Sequence, residues 1–389
     1  MSSRRYDTHD TATVRAFLDE RHLVLADAIA RFARDSLRPL PEPAGDPAGR
    51  DQARQILGVL GQAEWYAPIL EQDLRALCLI REAVAWASPL ADAVYALQAL
   101  GSTPIILAGS PALRDRWLPA MARGEAMAAF AMTEPEAGSD VASITTTARR
   151  DGSDWVLDGV KTFISNAGIA DFYAVFASTD PGRGHKGISC FVVPGDADGL
   201  VFEGAQVLSA PHPLGTIRFD ACRIPADSLV GEEGHGFKLG LATLDRLRAT
   251  VAAAACGMAA RALQEALGHA VERRQFGKPL AEFQLVQEKL ARMATDLAAA
   301  RLLTYRAAWE KDRGAERVTV EAAMAKAFAT EAAQRIVDDA VQILGGRGVL
   351  AEHPVDRLYR SIRALRIYEG TTEIQHLVIA GKLIEESAS

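Results

Sequence analysis

The sequence predicts a multidomain α+β protein. It has an N-terminal helical domain over residues 1–125, a central antiparallel β-barrel or sandwich over 126–232, and a C-terminal helical bundle over 233–389. Three observations predict this. Apolar residues recur at helical spacing through the first third. Short β-rich runs separated by turn residues fill the middle. Long alanine-rich helical patterns return after Gly234.

The first helical stretch runs from about Thr11 to Met121. Val14, Phe17, Leu18, Leu25 and Ile29 recur near the helical period, and so do Leu74, Leu77, Ile80 and Val84. Residues 38–49 hold four prolines and two glycines and are expected to be a loop throughout. Pro104 and Pro111 are expected to punctuate the later helices. In the middle third, strands are predicted over 143–148, 154–157, 161–165, 172–177, 187–193, 200–207 and 216–220. Asp151-Gly152, Asp158-Gly159 and Pro181-Gly182 supply turns between them. Bundle helices are predicted over 237–273, 282–313 and 319–344, the third ended by Gly345-Gly346. Thr371-Thr372-Glu373 can cap a last helix. Small residues at 252–255, 298–300 and 322–323 let these helices approach closely.

Composition narrows the function. A net charge of −7 argues against a nucleic-acid partner, which needs a basic face. Residues 1–10 mix Arg4 and Arg5 with Asp7 and Asp10 and lead into no apolar segment, so no signal peptide is expected. The longest apolar stretch is read between Arg248 and Arg261, too short to cross a bilayer. Cys78, Cys190, Cys222 and Cys256 lack metal-like spacing, so a cytoplasmic protein with reduced thiols and no metal is expected.

Several segments carry candidate chemistry. Gly182-Arg-Gly-His-Lys-Gly187 fits GxGxxG, but a turn precedes it and a β-run follows. A dinucleotide site needs a strand before and a helix after, so this is expected to be a surface hairpin loop. In Ala131-Met-Thr-Glu-Pro-Glu-Ala-Gly-Ser-Asp140, Thr133 and Ser139 offer hydroxyls and Gly138 allows close backbone approach. The segment is equally a polar strand-to-loop junction. In Lys161-Thr-Phe-Ile-Ser-Asn-Ala-Gly168, Phe163 is either core or an aromatic wall, and Ser165 either caps a turn or donates to a ring. Glu369, in Tyr368-Glu-Gly-Thr-Thr372, is either a carboxylate at a helix N-terminus or a base.

Taken together these segments resemble the acyl-CoA dehydrogenase family. The resemblance extends through Arg273-Arg-Gln-Phe-Gly-Lys-Pro-Leu-Ala-Glu-Phe-Gln284, Gln342-Ile-Leu-Gly-Gly-Arg-Gly348 and Ile367-Tyr-Glu-Gly-Thr-Thr-Glu-Ile-Gln375, and covers about residues 100–385. It implies the acyl-CoA dehydrogenase fold and an FAD cofactor. Met132, Thr133, Gly138 and Ser139 match the loop that holds the flavin and its pyrophosphate. Phe163 and Ser165 match the strand against the isoalloxazine ring. Arg273, Gln275 and Phe276 match a reach across a subunit interface to a neighbour's FAD, and Gln342 and Gly346 match a second such contact. Thr371 and Glu373 match the start of a last helix that touches FAD in its own subunit. The resemblance therefore implies a homotetramer with FAD sites shared between subunits, and electron-transfer flavoprotein as acceptor.

It also implies α,β-dehydrogenation of an acyl thioester, acyl-CoA to trans-2-enoyl-CoA. Glu369 removes the α-proton and the β-hydride passes to flavin N5. Hydrogen-bond donors meet the thioester carbonyl as charge develops there, one of them the Glu369 N–H. A carboxylate in a closed apolar pocket has its pKa raised toward neutrality, as a base at the operating pH requires. Gly370 leaves room for substrate and Tyr368 adjoins it. Some family members carry the base on the first long bundle helix, where this chain has Leu247, which cannot take a proton. Asp245 and Arg248 match residues that bind the pantetheine part of CoA, or form a helix-surface ion pair.

Two departures from the family pattern leave the substrate open. The segment 65–74 is short, and 208–215 lacks a Gly-x-Arg-x-Ser pattern. The thioester carrier is CoA or an acyl carrier protein, the latter needing a basic patch such as Arg183 and Lys186. The helix that often floors the acyl pocket reads Ala96-Leu-Gln-Ala-Leu100 and offers no cation for a dicarboxylyl group, which points to a neutral acyl group, short to medium, branched or cyclic. A flavin oxidase or monooxygenase on the same fold, and a non-catalytic scaffold, are the alternatives. The candidate base argues against both.

Overall fold

The computed structural model describes residues 10–388, so Arg4, Arg5 and Asp7 of the N-terminal segment lie outside the described residues. In chain order the helices are α1 (Glu20–Phe32), α2 (Asp46–Gln62), α3 (Ala67–Glu71), α4 (Leu74–Ala87), α5 (Pro89–Ala108) and α6 (Pro111–Ala122). The strands β1 (Ala128–Ala131), β2 (Thr147–Asp151), β3 (Asp154–Ser165), β4 (Phe172–Ser178), β5 (Ile188–Pro194), β6 (Leu200–Ala205) and β7 (Leu214–Pro225) follow. Then come α7 (Gly236–Glu272), the short strands β8 (Arg274–Gln275) and β9 (Lys278–Pro279), α8 (Gln284–Asp312), α9 (Thr319–Leu344), α10 (Pro354–Leu365) and α11 (Thr372–Ala388). Helices before and after a central sheet are the fold class that the sequence pattern predicts.

Compactness groups these elements into two units. One holds Pro41–Gln72 and Ala93–Leu244. The other holds the chain up to Leu40, Asp73–Asp92, and the chain from Asp245 onward.

The first unit is built on a seven-stranded sheet in the order β1-β4-β2-β3-β7-β6, with β5 also paired to β4. It is antiparallel except that β1 runs parallel to β4, and β2 meets β4 in one parallel pairing. The two runs predicted over 154–157 and 161–165 are one strand, β3. Asp158-Gly159 makes a bulge against β7, not a turn. Gly159 has φ +147°, and a Cβ there would lie 2.5 Å from Thr146 Oγ1, so glycine lets β3 pass its neighbour. The strand expected over 143–148 starts later, at Thr147, after a turn of 3₁₀-helix. Trp155, Tyr173, Val175, Phe191, Ile217 and Phe219 fill the core of the sheet. Gly182–Gly187 lies in the loop joining the antiparallel pair β4–β5, as expected.

Three corrections concern prolines and the apolar run. α2 begins at Asp46, inside the segment expected to be loop, because Pro47 sits in the first turn, where its missing N–H costs nothing. Pro104 lies within α5 and does not end it. α5 is longer and more apolar than the stretch 249–260 singled out in the sequence. It meets the length of a membrane span, but 78% of its most apolar window is buried inside the protein.

In the second unit α4 packs against α1 and α8, α8 against α9, and α9 against α10 and α11. The close approach of α7 to α4 depends on Gly257, where a Cβ would fall 2.0 Å from the Glu82 carbonyl. Buried Glu82 accepts hydrogen bonds from Arg301 Nε at 2.6 Å and from the Tyr305 hydroxyl at 2.8 Å, which ties α4 to α8.

Candidate active site

Within the sheet unit the structure brings the first two candidate motifs together. The Thr162 N–H donates to the Thr133 carbonyl at 3.0 Å. Beneath them lies a fully buried ion pair, Lys161 Nζ to Glu134 Oε1 at 2.8 Å. Lys161 also donates to the Met132 carbonyl at 3.0 Å. Glu134 further accepts from the Thr145 N–H and hydroxyl and from the Thr146 N–H. Burial pulls the Lys161 ammonium down to about 8, against the raising effect of Glu134. Burial also opposes Glu134 ionisation, but Lys161 and the donors hold its carboxyl down at about 2. The pair thus pins the loop carrying Met132 and Thr133 to β3.

The surface above this pair is open. Phe163 has φ +54° and is 61% exposed, an unusual state for an aromatic beside a sheet. Its N–H donates to Gln206 Oε1 at 2.8 Å, which holds the backbone in that conformation. Ser165 Oγ lies 2.7 Å from His212 Nε2, and burial holds the His212 imidazole down at about 4 and therefore neutral. Ser139 is exposed, and a Cβ on Gly138 would meet nothing within 4 Å. An outward aromatic, a bare glycine loop and hydroxyls on one edge fit a flat ring with a phosphate-bearing tail.

The bundle unit carries Glu369. It has φ +53° and Gly370 has φ +89°, so the pair forms a left-handed turn before α11. For the non-glycine residue that conformation costs on the order of 1–3 kcal/mol and persists only where its surroundings impose it. Here Lys326 Nζ donates to the Gly370 carbonyl at 2.7 Å. Gln375 Nε2 donates to the same oxygen at 2.9 Å and to the Glu369 carbonyl at 3.3 Å. The carboxylate atom Oε2 is buried with no hydrogen-bond partner.

Burial dominates the electrostatics of this carboxylate. Desolvation raises the Glu369 pKa, while Arg81, Lys326 and Arg248 lower it and Asp92 raises it again. The balance stands at about 7. Arg81 is held by Asp92 through two contacts, 2.8 and 2.9 Å, and donates to Thr250 Oγ1 at 2.9 Å. Tyr368 is hydrogen-bonded to Arg81, and burial raises its pKa. Asp245 and Arg248 do form the i,i+3 pair, at 2.5 Å, with Asp245 also accepting from Thr319. Arg248 is buried nonetheless, and its Nε has no partner. Leu247 is buried. Thr371 Oγ1 accepts from the Ile374 N–H and hydrogen-bonds the exposed Glu373, so both sit in the first turn of α11.

The remaining candidates are exposed. Gln275, Phe276, Gly277 and Lys278 form a tight β8–β9 hairpin with φ +49° at Phe276 and +82° at Gly277, the signs of a type I′ turn. Phe276 is 93% exposed at its tip, and Arg273 and Gln275 are exposed beside it. Gln342 and Gly346 are exposed at the C-terminal end of α9. Sixteen residues separate Gln342 from Lys326 on one helix, roughly 24 Å along its axis, so the Gln342 backbone stays far from the Gly370 turn within one chain.

Sequence reasoning left Lys161, Glu134, His212, Arg81, Asp92, Lys326 and Gln375 without roles. The available signal was a lone charge in a run of small or apolar helical residues, as at Lys326 between Ala325 and Ala327. Such a charge has no solvent face and must find a partner.

The comparisons match this helical–sheet–helical fold, with its shielded carboxylate and open aromatic-edged surface, to a class of oxidoreductases. Residues 19–125, 129–222 and 234–384 match the acyl-CoA dehydrogenase N-terminal, middle and C-terminal domains. The chain is 41% identical over 378 residues to the probable acyl-CoA dehydrogenase fadE25 of Mycobacterium leprae, covering 96% of this chain and 94% of that one. It is similar to the structure of butyryl-CoA dehydrogenase from Megasphaera elsdenii, with TM-score 0.87, 32% identity, and 94% and 99% of the two chains covered. It is also similar to the prolyl acyl carrier protein oxidase AnaB, with TM-score 0.85, 27% identity, and 94% and 99% covered. This chain belongs to the acyl-CoA dehydrogenase family of oxidoreductases.

Proposed function

We propose that the protein catalyses FAD-dependent α,β-dehydrogenation of an acyl-CoA, with Glu369 as the base that removes the α-proton. The observation that carries this is the Glu369 carboxylate: one oxygen buried without a partner, held on a left-handed turn, and poised at about 7. At that poise a large share of the carboxylate is ionised near neutrality, and it gains driving force from each proton it takes. The Glu369 N–H, beside the same turn, supplies a donor to the thioester carbonyl as charge builds there. Tyr368 and Gly370 border the substrate, and Asp245 and Arg248 hold its pantetheine arm. The free Nε of Arg248 favours a ligand over a purely structural pair.

FAD, when bound, accepts the β-hydride at N5. Met132, Thr133, Gly138, Ser139, Phe163 and Ser165 would hold it from the sheet unit, and Thr371 and Glu373 from the start of α11. Arg273, Gln275, Phe276, Gln342 and Gly346 would reach a neighbouring subunit's FAD. Their exposure supports this, and with it a homotetramer. We retain 1–125, 126–232 and 233–389 as the three domains, electron-transfer flavoprotein as the acceptor, and the cytoplasm as the compartment, the last supported by four free, buried cysteines.

The decisive test is Glu369→Gln. The variant should purify yellow yet show no substrate-induced bleaching of the flavin. Bleaching at the wild-type rate would remove Glu369 from the role. An acyl carrier protein in place of CoA is the second reading, favoured by the resemblance to a prolyl carrier-protein oxidase. Parallel titration with one acyl group on the two carriers separates them.

A further inference from the structure

We propose that Lys326 is a positioning residue for the base: its buried ammonium clamps the left-handed Glu369–Gly370 turn through the Gly370 carbonyl and brings a positive charge to the turn that carries the carboxylate. The inference rests on the reading of Glu369 as the base.

The geometry is specific. Lys326 lies on α9 among Ala322, Ala323, Ala325, Ala327 and Ala329, all buried, and is itself 0% exposed. A buried lysine is costly to ionise and is retained only where its charge is used. Its ammonium donates to the carbonyl oxygen of Gly370, at 2.7 Å, across 44 residues of sequence. Gln375 shares that oxygen at 2.9 Å. Two donors on one carbonyl oppose the strain of positive φ at Glu369.

The charged groups facing the pair come from every surrounding element. Glu369 feels Arg81 from α4, Asp92 from α5, Arg248 from α7 and Lys326 from α9. Lys326 feels Glu369, Arg248 from α7, Glu331 on its own helix and Glu373 from α11. Arg81 is paired with Asp92 through two contacts, and Arg248 with Asp245. Glu331 is taken up by Arg366 at 2.7 Å and by the Thr372 hydroxyl. Lys326 donates instead to a neutral carbonyl, and its charge acts on Glu369 alongside those of Arg81 and Arg248. Burial brings the Lys326 ammonium down to about 8, so it stays largely charged where Glu369 titrates.

The test uses FAD-loaded protein and the pH dependence of kcat/KM, whose acidic limb reports the free-enzyme base. Lys326→Met removes donor and charge and should move that limb upward by about one pH unit or more. Lys326→Gln keeps a donor without the charge. It should show the same upward shift, and it decides the matter if the methionine variant does not fold. Lys326→Arg should return the limb toward its wild-type position. A folded, yellow Met or Gln variant with an unmoved acidic limb overturns the inference. Glu369→Gln runs alongside. If it abolishes bleaching while the lysine variants leave the limb in place, Lys326 alone is misassigned. If it bleaches normally, the base itself is misassigned.

Discussion

The role proposed for Glu369 rests on a conflict that burial wins. Three cations draw its proton affinity down, and desolvation pushes it up further, to about 7. The activity that follows has a definite sign. A base must be unprotonated, so kcat/KM should be constant above about pH 8, fall through pH 7, and drop about tenfold per unit below that. A bell centred near pH 5 would contradict it. Lys161 makes the opposite use of burial. Its partner Glu134 stays ionised to about 2, and together they hold Met132 and Thr133 against β3. Lys161→Met leaves a buried carboxylate without its cation, and a loss of about 3 kcal/mol is expected, measured by denaturant unfolding. Glu134 also contributes an acid-sensitive term. Its folded pKa lies below its ordinary value, so its stabilisation is present above about pH 4.5 and fades as pH falls toward 2. Glu134→Gln should be less stable than wild type at pH 7 and lose less on acidification, as Tm against pH will show.

At the scale of elements, positive φ marks the candidate site. Phe163, Phe276 and Glu369 are three of the seven non-glycine residues with positive φ among those described, and all three fall in motifs singled out in the sequence. Each has a local device: Gln206 for Phe163, the type I′ turn with Gly277 for Phe276, and Lys326 with Gln375 for Glu369. The β8–β9 hairpin holds Phe276 and its neighbours outward, on a surface that one chain leaves exposed. Arg273→Ala should therefore weaken FAD retention, read as free flavin after gel filtration. An unchanged oligomer with full flavin occupancy would count against the shared site. This hairpin was legible as a motif but not as a structure, because its strands are two residues each and their pairing is decided by the turn.

At the scale of the whole molecule, substrate identity is the open variable. The helix α5 offers no cation along Ala96–Leu100, and Gln98 is occupied, donating to the Ala126 carbonyl at 2.9 Å and accepting from the Ala128 N–H at 2.6 Å. A neutral acyl group is expected to be preferred. A panel of acyl-CoAs with a dye acceptor should rank butyryl, branched and cyclic thioesters above glutaryl-CoA, and a glutaryl preference would refute the expectation. Slow reoxidation of the reduced flavin by air should accompany that result, since an oxidase would consume O2 directly.

The order of helices, sheet and helices could be read from the sequence because periodicity is local: every third or fourth apolar residue, or every second, is imposed by the geometry of one element. The candidate base could be read too, because Tyr368-Glu369-Gly370 with Thr371-Thr372 is a contiguous motif, and Leu247 is visibly not an acid. What tertiary structure decided was everything that depends on distant partners. Asp158-Gly159 reads as a turn until β7 and Thr146 show it to be a bulge. In the sequence the longest apolar stretch is read between Arg248 and Arg261, whereas the longer apolar run is α5, which the fold buries. Arg81, Lys161 and Lys326 look like isolated cations until Asp92, Glu134 and the Gly370 carbonyl appear beside them. A pKa is likewise a property of surroundings, so no spacing in the chain gives the value of about 7 at Glu369. The candidate motifs could be picked out in the sequence, and their protonation, strain and partners were set only when the fold brought the buried charges together.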